Sequence, residues 1–196
     1  YKSVAEDWMK THRNRSLAID GPIELSVFPR LAIQLSKVRL SEVGKTDEFV
    51  ALDSAALVAE LLPLLRGELV IGNVQAHGVR VRYLRDAKGK SNMDDLMQPA
   101  PAEPSGGKPV RFDINGIALT DVRMRVKDDA MGVHGEMYLK SVKTGRLANQ
   151  AETEVALESQ FDFKSPVLRG TLDGSTRLTL DTDTAAIALR DLKFAF

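Results

Sequence analysis

The chain has 196 residues, 43% of them apolar, enough for one domain that can bury a core without metals or disulfides. Lysine plus arginine and aspartate plus glutamate each total 27 and are scattered along the chain, so no net field directs it to nucleic acid. The absence of cysteine excludes disulfides, thiol catalysis and Cys-ligated metal centres, and no run approaches the roughly 18 apolar residues of a membrane span.

The sequence opens on Tyr1 without a basic-then-apolar leader, which reads as an excised fragment whose natural N-terminus, with any anchor, lies upstream. Val4, Trp8 and Met9 stand at helical spacing, with Glu6 and Asp7 early and Lys10, His12 and Arg13 late, and predict a short amphipathic helix. Trp8 reads as a core residue on a helix that covers sheet, ahead of a membrane-interface anchor beside Lys2 and Lys10. From Ser16 the apolar period becomes two, through Leu17 and Ile19 and then Ile23, Leu25 and Val27, punctuated by Gly21-Pro22 and Pro29. Leu31, Ile33 and Leu35 share one parity and Val38 and Leu40 the other, so a continuous strand requires a bulge near Ser36-Lys37. Residues 49–52 continue as strand, and the Ala- and Leu-rich residues 55–65, with Pro63 near their end, run from strand into one helical turn. Leu69 and Ile71, then Val79, Val81 and Tyr83, resume the strand pattern, with bends at Gly72-Asn73 and Gly78. Residues 86–109 hold one helical turn near residues 93–97 and then a Pro- and Gly-rich linker over residues 99–109.

The linker separates a helix and first sheet segment, residues 1–98, from a second segment, residues 110–196, that continues the same sheet. From residue 110 to 126 the even positions are mostly apolar and the odd ones include Arg111, Asp113, Asp121, Arg123 and Arg125, the pattern of a half-buried strand. Asn115-Gly116 is a hairpin signal, but a two-residue turn there sends Asp121 and Arg123 inward, so a bent continuous strand fits better. Met131, Val133, Met137 and Leu139, then Val155, Leu157, Phe161 and Phe163, then Leu168, Leu172, Leu178 and Leu180, then Ile187 and Leu189 repeat the rule. Turns fall at Asp128-Asp129, residues 144–150, Ser165-Pro166 and residues 181–184. Regular reversal after long strands predicts a mainly β fold: a long, curved antiparallel sheet, groove-like or a half-barrel, with a short N-terminal helix and one or two helical turns.

Residues that carry chemistry do not converge in the sequence. His12, His77 and His134 are far apart and lack ligand spacing, Asp94-Asp95 and Asp128-Asp129 read as charged turns or helix starts, and neither a Gly-x-Ser-x-Gly elbow nor a phosphate cradle occurs. The expectation is a protein that is not an enzyme and has no cofactor or metal. The apolar face has two readings: an ordinary core covered by other elements, which the pattern alone favours, or a trough left open for acyl chains.

Individual residues carry a more specific signal. Arg15-Ser16-Leu17-Ala18-Ile19-Asp20-Gly21, Phe28-Pro29-Arg30-Leu31 leading to Val38-Arg39-Leu40, the run Leu61-Leu62-Pro63-Leu64-Leu65-Arg66-Gly67-Glu68-Leu69, Gly78-Val79-Arg80-Val81 and Gly89-Lys90-Ser91-Asn92 resemble the N-terminal region of the AsmA family of Gram-negative envelope proteins. Residues 117–125 and Thr144-Gly145-Arg146-Leu147 extend the likeness over nearly the whole chain. Arg13-Asn14-Arg15 departs from the family's frequent Thr-Gly-Arg, and the transmembrane helix that precedes this region in the family is not in the sequence. The resemblance implies an inner-membrane anchor, a periplasmic location, and kinship with TamB-like and chorein-like β-grooves. It also implies phospholipid binding for inter-membrane transport and outer-membrane biogenesis, or alternatively an envelope scaffold that engages proteins while the apolar face is an ordinary core. On the first implication the lipid-lining candidates are Val110, Phe112, Ile114, Val122, Met124, Val126, Val155, Leu157, Phe161, Phe163, Leu178 and Leu180. No catalytic residue belongs to the family pattern.

Overall fold

The computed structural model describes residues 2–27, 30–60, 69–97, 112–181 and 186–195. In chain order the elements are α1 (Lys2–Arg13), β1 (Leu17–Ile19), β2 (Ile23–Ser26), β3 (Leu31–Ser41), β4 (Glu48–Ala59) and β5 (Leu69–Arg85). There follow α2 (Asp94–Met97), β6 (Phe112–Asp128), β7 (Val133–Thr144), β8 (Leu147–Ala148), β9 (Glu152–Ser165), β10 (Val167–Asp181) and β11 (Ala186–Ala195). All eleven strands form one sheet in the order β1-β3-β4-β5-β6-β7-β9-β10-β11, with β2 added to β3 and β8 to β6. The helical turn expected within residues 61–65 and the linker at residues 99–109 lie outside the described residues.

The expected sheet is present, with one exception to its antiparallel order: β5 and β6 run parallel from Leu69↔Phe112 to Arg85↔Asp128. Only a tight turn forces neighbours to be antiparallel, and the long connection from residue 86 to 111 allows the chain to return and start β6 beside the start of β5. The Asn115-Gly116 pair makes no hairpin, and β6 passes straight through it.

The change of parity in β3 has a cause that involves several strands. Lys37 adopts a left-handed backbone with φ 52°, yet the ladder to β4 runs from Ser36↔Ser54 to Val38↔Leu52 with no residue inserted. The expected bulge is therefore absent there, because β4 changes parity at the same level. In β5 Gly78 has φ 66°, and in β6 Asp121 has φ 51°. The residues beside them form one cross-strand row, Ser36, Ser54, His77, Thr120 and Ser141. A left-handed residue interrupts the pleat, so the side-chain alternation restarts on the other parity. The crease ends in β7, where the register to β9 slips between Leu139/Ser159 and Ser141/Glu158 and leaves Lys140 as a bulge, paired to Glu158 at 2.8 Å. Beyond it β9 keeps one parity throughout, as its sequence indicates.

The crease also corrects the even-numbered face expected over residues 110–126. Below Asp121 it is Ile117 and Leu119 that continue the apolar face, paired with Val74 and Ala76, whereas Thr120 is exposed and meets His77 Nδ1 at 3.0 Å on the other side.

Helix α1 seals an edge of the sheet and does not cover its face. Lys2 Nζ donates to Ile19 O at 3.0 Å and to Gly21 O at 2.6 Å, and Ile19 N donates to Glu6 Oε1 at 3.4 Å. These bonds use backbone groups that β1 would otherwise present to another strand. No residue of α1 is buried, and Trp8 is 41% exposed and stacked on His12, so the core role expected of it is not seen.

A β-carbon added at Gly78 would lie 2.1 Å from Asp53 Oδ2, and the left-handed backbone disfavours any side chain there. Gly78→Ala is expected to lose about 1–3 kcal/mol in urea denaturation, and Asp53→Ala in the same chain to restore only the part due to the clash. Asp121→Gly, which relieves a left-handed non-glycine residue, is expected to lose much less.

Candidate functional site

Six cross-strand rows place apolar side chains on one face. The longest runs Leu17, Leu40, Val50, Val81, Met124, Met137, Phe161 and Gly170, each paired to the next across eight strands. At about 4.8 Å per strand it spans roughly 34 Å. Beyond the crease a second row runs Ile23, Leu35, Ala55, Ala76, Leu119, Val142, Leu157 and Gly174.

Most of these side chains are half-exposed. Among the described residues the buried apolar ones are Ile19, Phe49, Ala51, Ala59, Val122 and Leu147, too few for a conventional core. The accessible surface is 13246 Å², against about 9,200 Å² expected for a compact monomer of 21.5 kDa. No described element packs over the apolar face: each strand contacts its sheet neighbours, and α1 touches β1.

The lining candidates fall into place accordingly. Val122, Met124 and Val126 stand on β6, and Val155, Leu157, Phe161 and Phe163 on β9, joined by direct pairs or through β7. Val122 is buried at 4% and the others are half-buried. Leu178 and Leu180 share the face through the pairs Val155↔Thr176 and Thr153↔Leu178. Ile114 pairs with Ile71 on one side and the buried Leu147 on the other, in the lowest row. Phe112 begins β6, with its side chain outside the described part, and Val110 lies outside the described residues. The reading of β6 by even numbers missed Ile117 and Leu119, and a search for the change of parity seen in β3 would have found them.

Glycine shapes this surface at two close approaches. The ring of Phe161 lies over Gly170, with its Cζ 3.1 Å from where a β-carbon would be, and Phe163 lies over Gly135 in the same way, at 2.4 Å from its Cδ1. The two rings stack with centroids 5.9 Å apart. Flat rings over bare backbone keep the aromatic end of the face low.

One end of the sheet is closed by a buried polar latch that pattern reading assigned no role. Arg15 is 1% exposed, donates through Nε and Nη2 to both carboxylate oxygens of Asp95 at 2.7 and 2.6 Å, and reaches Ser41 O at 2.7 Å and Asn92 O at 2.5 Å. Its guanidinium also lies 4.5 Å from the ring centroid of Phe49, which is 2% exposed. Ser91 and Asp94 cap α2 reciprocally, with Ser91 N donating to Asp94 Oδ2 at 3.0 Å. Asn92 completes the ladder where β4 has ended, accepting from Leu84 N at 3.0 Å and donating to Arg82 O at 2.7 Å. Asp128 and Asp129 likewise serve a turn, accepting from Met131 N at 2.9 Å and meeting His134 Nε2 at 3.0 Å. Among the described residues no group of three or more His, Cys, Asp or Glu stands close enough to hold a metal ion.

A one-layered sheet whose apolar face no described element covers, with an edge-sealing helix and a polar latch built from Arg15, Asp95 and Asn92, defines an open, groove-like β protein. The AsmA family model matches residues 1–188, and the chain belongs to the AsmA family. It is 23% identical over 172 residues to the Protein AsmA of Escherichia coli strain K12, a match that covers 86% of this chain and 27% of that protein. The chain thus spans about a quarter of the length of the curated relative it matches. AsmA-family proteins are envelope-associated. No described helix is long and apolar enough to cross a membrane.

The Asp95 carboxyl is held below its ordinary range, first by the hydrogen bond from Arg15, against the effect of burial. A depressed carboxyl stabilises the fold above its unfolded pKa of about 3.9, and that contribution fades as pH falls through the lower folded value. The urea midpoint is therefore expected to fall between pH 5 and pH 2, with a smaller fall in Asp95→Asn. Arg15→Met, which leaves a partly buried carboxylate unpaired, is expected to lose about 3 kcal/mol at pH 7 and to recover part of this deficit relative to the native chain in acid.

Proposed function

We propose that this chain is a segment of an apolar β-groove that holds phospholipid acyl chains in the periplasm, within a longer protein anchored to the inner membrane. The groove would serve inter-membrane phospholipid transport and outer-membrane biogenesis. The row from Leu17 to Gly170 carries this reading: it is continuous, apolar and left half-exposed across eight strands. A bilayer's hydrocarbon core is about 30 Å thick, so one acyl chain extends about 15 Å, well within the roughly 34 Å of that row. Contacts would be hydrophobic and tolerant of lipid species, at about 0.8 kcal/mol per buried methylene. The charged face turned to solvent keeps such a segment soluble, and the reading assigns no catalytic step to any residue.

A second reading, an envelope scaffold that engages proteins, is supported by β11. The last described strand of the sheet, it exposes Leu189 and Leu192, each at 55%, as apolar side chains that a protein partner could cover.

A photoreactive residue at Met124, Met137 or Phe161 is expected to crosslink phospholipid in cells, and one at Lys143 or Ala156, a cross-strand pair on the opposite face, to give at most a trace. Met124→Asp with Phe161→Asp should remove copurifying phospholipid, as read by mass spectrometry, while circular dichroism keeps its β signature. Equal crosslinking from both faces would sink the groove assignment. Loss of an outer-membrane assembly partner on placing proline in β11, with lipid retained, would favour the scaffold.

A further inference from the structure

The charged face holds a feature that an acyl groove does not require. Arg80 and Arg82 on β5 stand directly across from Arg123 and Arg125 on the parallel strand β6. Like charges facing each other across a ladder are destabilising, and the chain as a whole is neutral, so this square of four guanidinium groups is not a by-product of a basic composition.

Two rows of long side chains rise from these pairs. One runs Arg80, Arg123, Tyr138, Gln160 and Thr171 across five strands without a carboxylate, and the other Arg82, Arg125, Glu136, Asp162 and Arg169. Between them lies a depression of about 1000 Å³, lined by both rows and by the intervening backbone positions, whose side chains point to the apolar face. Five arginines line it against three carboxylates, Glu48, Glu136 and Asp162, an excess of 5 − 3 = 2 among the lining residues, while Asp53, Glu42 and Asp121 pair with Arg80, Arg82 and Arg123 from outside it.

The ion pairs do not use all of these donors. Arg80 is hydrogen-bonded to Asp53 at 3.1 Å, Arg125 to Glu136 at 3.1 Å and Arg169 to Asp162 at 2.6 Å. Arg82 and Arg123 form looser ion pairs without a hydrogen bond, to Glu42 at 3.8 Å and Asp121 at 3.4 Å, and both of those acids stand outside the depression. Arg123 also lies over the Tyr138 ring at 5.8 Å. Adjacent strands are about 4.8 Å apart and alternate residues about 6.6 Å apart, so the square brings two pairs of guanidinium-bearing side chains close enough for each pair to address a separate phosphate of one ligand.

We propose that this trough binds a ligand carrying two phosphate groups, with Arg82 and Arg123 as the principal donors and the Tyr138, Gln160 and Thr171 row contacting the rest of the ligand. The site lies on the face opposite the acyl groove, so each can fail without the other. Inorganic pyrophosphate is the soluble probe, and phosphatidylcholine vesicles with or without cardiolipin are the membrane probe.

Calorimetric titration is expected to show saturable pyrophosphate binding, weakened about tenfold or more in Arg82→Gln/Arg123→Gln. The same charge removed elsewhere, in Arg177→Gln/Arg190→Gln, should leave it within about twofold. Capture on cardiolipin vesicles that pyrophosphate displaces would assign the phosphates to a lipid headgroup, and pyrophosphate binding without capture to a soluble ligand; either supports the site if it is lost in Arg82→Gln/Arg123→Gln. Binding of neither probe, or equal weakening in the two double variants with unchanged circular dichroism, would overturn the proposal.

Discussion

Every other feature of this sheet depends on keeping one face apolar while the chain changes its apolar parity. A strand sends successive side chains to opposite faces, so Leu35 and Val38, three residues apart, can share a face only if the alternation is broken between them. The break is a crease through four strands, with Lys37, Gly78 and Asp121 in the left-handed region and the pair Asp53-Ser54 carrying it through β4. Because the strands change together, the register survives, and apolar rows continue on both sides of the crease. A single strand changing alone would have turned half of its apolar set to water.

The described residues form a sheet of one layer, which must find its stability without a second described layer to bury its face. Cross-strand pairs, worth about 0.2–1 kcal/mol each, accumulate over long ladders such as the fifteen aligned positions shared by β5 and β6. The ends and edges are handled by polar chemistry. Lysine and glutamate from α1 occupy the backbone groups of β1, and Arg15 ties the start of the sheet to the loop after β5 through Asp95 and Asn92. A buried guanidinium is tolerated there because four of its five donors find carboxylate or carbonyl partners while it lies over the ring of Phe49.

The same alternation divides the labour of the two faces. From Val79 to Tyr83 on β5 and from Val122 to Val126 on β6, arginines on one side alternate with Val, Met or Tyr on the other, so the proposed phosphate trough and the proposed acyl groove are built from adjacent residues of the same strands. Substitutions can therefore address one face with little direct contact to the other. In the proposed function such a segment presents a lipid-compatible surface inward and a charged, ligand-competent surface outward.

The one-letter pattern by itself determined the class of the fold, the helix at the start, most strand positions and the apolar parity of β9 and β10, because alternation over long strands is a local property. It also exposed the parity conflict in β3, and the family-like motifs around Arg15 and Gly89-Lys90-Ser91-Asn92. Only the tertiary structure decided how that conflict is resolved, since a crease exists only when neighbouring strands align their left-handed residues. It decided as well that Trp8 stands exposed, that β5 and β6 run parallel, and that Arg15 meets Asp95 across 80 positions. Above all it decided that no described element covers the apolar face. Alternation states which side chains share a face, but what lies over that face depends on contacts distant in the chain, and those are settled only when the whole sheet is assembled.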